Sequence, residues 1–228
     1  MAVGIGTITE LRLEADGLSG QISYPPGLRP APGQYLVAAS PDPCEPLPVV
    51  LFPSAIGTAQ LRLSPPLPVT WTVGMELRLR GPLGKGFRMP PIARRVALAS
   101  LEGTPARLLP LANLALAQQA AVAIYAQSTP SGLPEEVEVL PLDLLPEAPS
   151  WADFLALEIP LARLSDLRNR LGLRPYQNPA CQTQVLVITP MPCSGLAECG
   201  VCAVAAREGW SLTCSDGPVF DFTHFEGA

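Results

Sequence analysis

Three cysteines lie close together in Cys193-Ser-Gly-Leu-Ala-Glu-Cys199-Gly-Val-Cys202, and a fourth follows at Cys214. Four thiolates are what a [2Fe–2S] centre requires, and a single loop can deliver three of them only by wrapping its backbone around the inorganic core. Wrapping demands small residues, which Gly195, Ala197 and Gly200 supply. The spacing C-x5-C-x2-C-x11-C is close to the plant-type C-x4-C-x2-C…C and unlike the C-x2-C-x2-C-x3-C-P run of four-iron ferredoxins. The pattern therefore predicts a two-iron cluster with Cys193, Cys199, Cys202 and Cys214 as metal ligands.

Two other uses of cysteine compete with this reading. A structural zinc site is more typically built from two C-x2-C knuckles, and only Cys199 and Cys202 form one. Disulfides are compatible with an even count of six, but the opening Met1-Ala-Val-Gly-Ile-Gly-Thr7 has neither a basic nor an apolar signal region, so reduced thiols and a cytoplasmic location are expected. Cys44 and Cys181 are remote in sequence and read as small buried hydrophobes.

Other candidate chemistry is sparse. His224 is the single histidine and reads as a solvated tail residue; no G-x-S-x-G elbow, P-loop or H-E-x-x-H is present, and no catalytic residue is assigned. The net charge of −5 and scattered basic residues argue against nucleic acid or an anionic membrane surface as ligand. The longest apolar stretch, Leu108 to Ala126, is broken by Pro110, Asn113, Gln118 and Gln119 and reads as helix, turn and strand rather than a membrane span.

The elements that must position the cysteines change character along the chain. With 28 prolines in 228 residues, regular structure is confined to short pieces. Thr7–Glu14, Gln21–Tyr24, Gln34–Ala38, Val49–Phe52, Gln60–Leu63 and Met75–Arg80 read as six strands bounded by Pro or Gly, which indicates a small antiparallel barrel. After Pro90-Pro91 the pattern becomes a βαβ unit: strand Val96–Ala99, a helix capped by Thr104 with Pro105 in its first turn, and strand Ala121–Tyr125. Val137–Leu140 reads as a strand, Trp151–Leu157 and Leu161–Leu171 as helices, and Gln184–Thr189 as a buried strand feeding the cysteine loop. The expected fold class is β plus α/β: a barrel over residues 1–90, a parallel-sheet α/β domain over 91–190 and an iron–sulfur loop and hairpin over 191–228.

The order of features resembles the electron-transfer subunit of dihydroorotate dehydrogenase, in the ferredoxin reductase-like superfamily. The resemblance rests on Pro32-Gly-Gln-Tyr35-Leu36, Gly81-Pro-Leu-Gly84-Lys-Gly-Phe87, the βαβ domain, and the cysteine loop closed by Cys214-Ser-Asp-Gly-Pro-Val-Phe220, and it spans essentially the whole chain. It implies a barrel that binds FAD, an α/β domain that binds NADH, and a cluster on Cys193, Cys199, Cys202 and Cys214 that relays electrons to a separate catalytic subunit.

Three departures qualify what the resemblance implies. The first cysteine gap is five residues instead of four. The arginine and the Gly/Thr-rich helix start that hold the FAD pyrophosphate are replaced by Glu45-Pro-Leu-Pro-Val-Val-Leu-Phe-Pro-Ser54 and Leu63-Ser-Pro-Pro-Leu-Pro-Val-Thr70. The glycine run expected of a dinucleotide site reads Ser100-Leu-Glu-Gly-Thr-Pro-Ala-Arg107, with Arg107 read as part of an ordinary helix start. The expectation is an electron-transfer subunit of a hetero-oligomer that keeps its cluster while FAD and NADH binding are weakened or lost. An FAD-containing, NADH-oxidising reductase and a scaffold with a structural metal are the alternatives, and the apolar run Pro218–Phe222 is read as either an outward-facing interface or the end of a packed strand.

Overall fold

The computed structural model describes residues 2–129, 132–207 and 209–225. The first half alternates apolar and polar residues with period two, and a strand so patterned buries one face only. It forms β1 (Ala2–Glu14), β2 (Gly17–Ser23), β3 (Tyr35–Ala39), β4 (Val49–Leu51), β5 (Pro53–Ile56), β6 (Gln60–Leu63) and β7 (Glu76–Leu83). These pair in the order β4-β3-β7-β1-β2-β6-β5, with every pairing antiparallel. The two edge strands are separated in sequence by Phe52 alone, so the sheet curls into a nearly closed barrel. Ile8, Ile22, Leu36, Leu61, Leu63, Leu77 and Leu79 fill it. The segment Val49–Phe52 expected as one strand is thus the end of one and the approach to another: β4 pairs with β3, and β5 turns away to β6.

The second half supplies β8 (Arg95–Ser100), α1 (Leu109–Ala117), β9 (Ala121–Ala126), β10 (Glu138–Pro141), α2 (Ala148–Trp151), β11 (Phe154–Pro160), α3 (Leu167–Arg170) and β12 (Gln182–Ile188). A hairpin of β13 (Ala203–Ala206) and β14 (Gly209–Leu212) follows, then β15 (Val219–Asp221). The main sheet runs β10-β9-β8-β11-β12-β15, parallel except for β15, and the expected β8–α1–β9 crossover is present. Apolar clusters cover both faces. Among the described residues no helix is long and apolar enough to cross a membrane.

Several expectations are corrected. Trp151–Leu157 is not a helix: α2 ends at Trp151 and β11 begins at Phe154, buried through Ile159 between β8 and β12. A strand buried on both faces is apolar without alternation, so its periodicity does not separate it from a buried helix. Thr104 caps no helix. Its N–H is taken by Asp16, and the helical segment opens with a 3-10 turn at Ala106. Cys44 is exposed in a turn where its N–H bonds to Asp42, so it is no buried hydrophobe, and Cys181 is half-buried. Pro218, Val219, Phe220 and Phe222 point inward, because β15 pairs with β12 and its side chains join the sheet core.

Candidate metal centre

The cysteine loop leaves the end of β12 and reverses direction within a few residues. Ser194, Gly195, Ala197 and Gly200 all take positive φ (58°, 79°, 62° and 69°), which coils the chain tightly enough to turn several N–H groups inward. Gly195 has a second constraint, since a Cβ there would stand 2.6 Å from the Tyr35 hydroxyl oxygen. The loop is closed locally by Ser194 N–H to Met191 O (2.8 Å), Ala203 N–H to Gly200 O (3.1 Å) and Thr213 N–H to Cys202 O (3.0 Å). After the hairpin the chain turns at Asp216, whose carboxylate accepts from Leu212 N–H at 2.8 Å.

The barrel fixes this loop in space. Arg80 on β7 donates to Ser194 O, and Tyr35 on β3 donates its hydroxyl to Cys214 O at 3.0 Å. Lys85 N–H donates to Gly217 O, and Val187 N–H to Pro218 O at 2.9 Å, so Cys214 is held between the barrel exit and the sheet. Gly84 permits this approach: its φ is +73°, and an added Cβ would lie 2.4 Å from Pro218 Cδ.

The four thiols of the loop and hairpin differ in exposure. Cys202 and Cys214 are buried, Cys193 is half-buried and Cys199 is exposed. The Glu198 N–H lowers the Cys193 thiol pKa to about 6, aided by the Cys199 thiol and by the N–H groups of Cys199 and Leu196, while burial opposes. Burial pushes Cys214 up to about 12, reinforced by its hydrogen bond with the Cys202 thiol and by Cys193, against an N–H from Ala197. Burial also raises the Tyr35 hydroxyl, with Cys214, Cys202 and Cys193 adding to it. Electrostatically, Cys193 feels Cys199, and Cys214 feels Cys202 and Cys193. Among the described residues, no group of three or more His, Cys, Asp or Glu side chains stands in metal-coordinating positions.

The donor set suits a [2Fe–2S] cluster. Thiolates bind iron, and N–H groups aimed at a sulfur stabilise its anionic form. Inward N–H groups from Leu196, Ala197, Glu198 and Cys199 are the hydrogen bonds such a site uses. Cys44 and Cys181 lie outside this group. His224 is also elsewhere, and it is not a solvated tail: its ring stacks on Phe220 at 4.8 Å and its Nε2 lies 3.0 Å from Ser211 Oγ.

The residues that would face a flavin pyrophosphate do not fit one. In Ser64–Pro68 three residues are prolines with no N–H, and the two N–H groups present are engaged, Ser64 with Phe52 O (2.8 Å) and Leu67 with Leu18 O (2.7 Å). Glu45 accepts from Thr70 and from Trp71 Nε1 (3.2 Å), which pins a barrel loop instead of meeting a phosphate. Arg107 bonds Glu158 Oε1 at 2.6 Å and Pro65 O at 2.9 Å, with its guanidinium over the Phe52 ring. Glu158 is buried, its Oε2 has no hydrogen-bond partner among the described residues, and burial raises its carboxyl pKa against the pull of Arg107.

Tyr35 and Arg80 are the positioning residues that sequence reasoning missed as such. Tyr35 sits in the quoted Pro-Gly-Gln-Tyr stretch, but nothing local says that its hydroxyl reaches the cysteine loop. Arg80 looks like an ordinary solvent-facing residue of an alternating strand.

No family model matches the chain, and no curated protein is detectably similar in sequence. Solved structures do match. An NADH-dependent reduced ferredoxin–NADP oxidoreductase, reported in work on flavin-based electron bifurcation, superposes with a TM-score of 0.74 at 16% identity, over 97% of this chain and 89% of that one. An Amycolatopsis cytochrome P450 reductase gives 0.58 at 16% identity over 82% and 71% of the two chains. Phthalate dioxygenase reductase, described as modular for electron transfer from pyridine nucleotides to [2Fe–2S], gives 0.56 at 11% over 83% and 70%. At these identities the likeness carries the fold, and the chain has the ferredoxin reductase-like fold.

Proposed function

We propose that this chain is an electron-transfer component that relays electrons through a [2Fe–2S] cluster held by Cys193, Cys199, Cys202 and Cys214 to a partner oxidoreductase. What supports the proposal is the spacing of the four thiols in one loop and hairpin, with backbone N–H groups directed at the Cys193 and Cys214 sulfurs. When bound, the cluster supplies one-electron transfer. The chain's own residues hold and tune it: N–H groups of residues 196–199 stabilise thiolate charge, and Tyr35 and Arg80 fix the loop's carbonyls to the barrel. Cys199 is exposed and would be the ligand nearest solvent and a docked protein, while Cys202 and Cys214 are buried and would be kept from water.

The reading divides the chain into a barrel (1–90), an α/β domain (91–190) and a cluster-binding segment (191–228), acting within a hetero-oligomer. Dihydroorotate dehydrogenase is the partner that the family resemblance suggests. The second reading is an FAD-containing, NADH-oxidising reductase, favoured by similar structures whose descriptions include pyridine nucleotides. Anaerobic purification with iron, acid-labile sulfide and flavin quantitation separates the two. About two irons and two sulfides per chain without flavin is expected. Stoichiometric zinc without sulfide rejects the cluster, and one flavin per chain promotes the second reading. Metal that cannot be reduced by dithionite indicates a structural staple.

A further inference from the structure

In an open parallel sheet, nucleotides bind beyond the carboxyl ends of the strands, where neighbouring crossovers leave in opposite directions. Here that point lies between β8 and β11: β8 has β9 on one side and β11 on the other. A dinucleotide at this crevice needs backbone N–H groups after β8 and positive charge free to meet its phosphates.

Both needs are already met from within the chain. Asp16, in the β1–β2 turn of the barrel, accepts from the Thr104 N–H at 2.7 Å, in the segment where a phosphate would be received. Glu158, opposite Ser100 in the ladder at the end of β11, bonds Arg107 at 2.6 Å and is only 2% exposed. The second arm of Arg107 reaches across to Pro65 O of the barrel at 2.9 Å, and the same guanidinium covers Phe52. The Leu101 N–H is likewise engaged, by Glu158 O at 2.9 Å.

We propose that Asp16, Arg107 and Glu158 plug this crevice from within and latch the barrel to the α/β sheet, the two carboxyl groups standing where a dinucleotide pyrophosphate would lie. With or without its proton, the Glu158 carboxyl fills the space and engages Arg107. The chain therefore takes no NADH or NADPH at this site and, on the electron-transfer function proposed above, receives its reducing equivalents from a protein-borne redox group. The plug uses none of the cysteines, so iron and sulfide content is unchanged in every variant below, and the fate of the cluster reading is separate.

Wild-type protein titrated calorimetrically with NADH and with NADPH is expected to show no saturable binding in the micromolar range. One nucleotide bound per chain at micromolar Kd overturns the proposal. In Asp16→Ala, a change at an exposed turn, amide exchange at Thr104 is expected to accelerate roughly tenfold or more, because a local protecting bond is lost; unchanged protection overturns the assignment of Asp16. In Asp16→Ala/Glu158→Ala, inorganic pyrophosphate is expected to raise Tm in a salt-sensitive way that wild type does not show. An equal response in both proteins, or none in either, overturns the phosphate-mimic assignment. Should the double variant fail to fold, the nucleotide titration and the Thr104 exchange decide.

Discussion

Tyr35, in the third strand of the barrel, donates its hydroxyl to the carbonyl of Cys214 at 3.0 Å, joining residues 179 apart in sequence inside the buried core. The bond registers the candidate metal loop against the barrel. Tyr35→Phe keeps the ring and leaves a buried carbonyl without its donor, so stability should fall by about 1–3 kcal/mol. Denaturant unfolding measures this. Chelator-induced iron loss should also be faster than in wild type, because the loop opens more readily.

Replacing Cys193, Cys199, Cys202 or Cys214 by Ala, one at a time, should abolish the two-iron stoichiometry, since each removes one of four thiolates. Cys44→Ser and Cys181→Ala should retain iron and sulfide, because neither belongs to the cysteine loop and hairpin and each has local partners, Asp42 and Thr183. Iron and sulfide assays on anaerobically purified variants make the comparison.

Gly84→Ala should destabilise the protein by about 1–3 kcal/mol and weaken iron retention, because the residue holds a left-handed conformation that non-glycine residues adopt only under strain. The new methyl group would also press on Pro218 Cδ and Gly217 O at 2.4 and 2.8 Å. Thermal unfolding and iron content are the readouts.

Phe220→Ala should behave as a core mutation. Its ring is 5% exposed and packs edge-on against Phe225, so a loss of about 3–5 kcal/mol is expected. Partner capture at a temperature where the variant remains folded should match wild type. Selective loss of capture with unchanged stability would reassign the residue to an interface.

Asp153 ties the start of β8 to the start of β11 by accepting from the N–H groups of Arg94 and Arg95 and from the Arg95 guanidinium. These bonds, the Arg94 N–H first, hold its carboxyl below the usual carboxylate range. A depressed folded-state pKa contributes stability above the unfolded value and loses it as pH falls through the folded value. The Tm deficit of Asp153→Ala should thus be full at neutral pH and shrink as pH drops below about 4. A pH series of melting curves reads it.

The sequence by itself determined most kinds of element and marked out a candidate set of thiols. Alternation over Thr7–Glu14 and Met75–Arg80 dictates strands with one wet face, the Pro- and Gly-bounded segments dictate short ones, and the spacing of Cys193, Cys199, Cys202 and Cys214 selects them from six. Local patterns carry such information because they act through the chain's own neighbours. They fail where neighbours are distant in sequence: Phe154–Pro160 is a central strand because β8 and β12 cover it, and its apolar run alone fits a helix equally well. Pro218–Phe222 turned inward for the same reason, since only pairing with β12 decides which way β15 faces. The reach of Tyr35 to Cys214, of Arg80 to Ser194 and of Arg107 to Glu158 and Pro65 was settled by tertiary structure alone. Each bond joins residues far apart in the chain, and such partners are chosen by packing geometry rather than by sequence spacing.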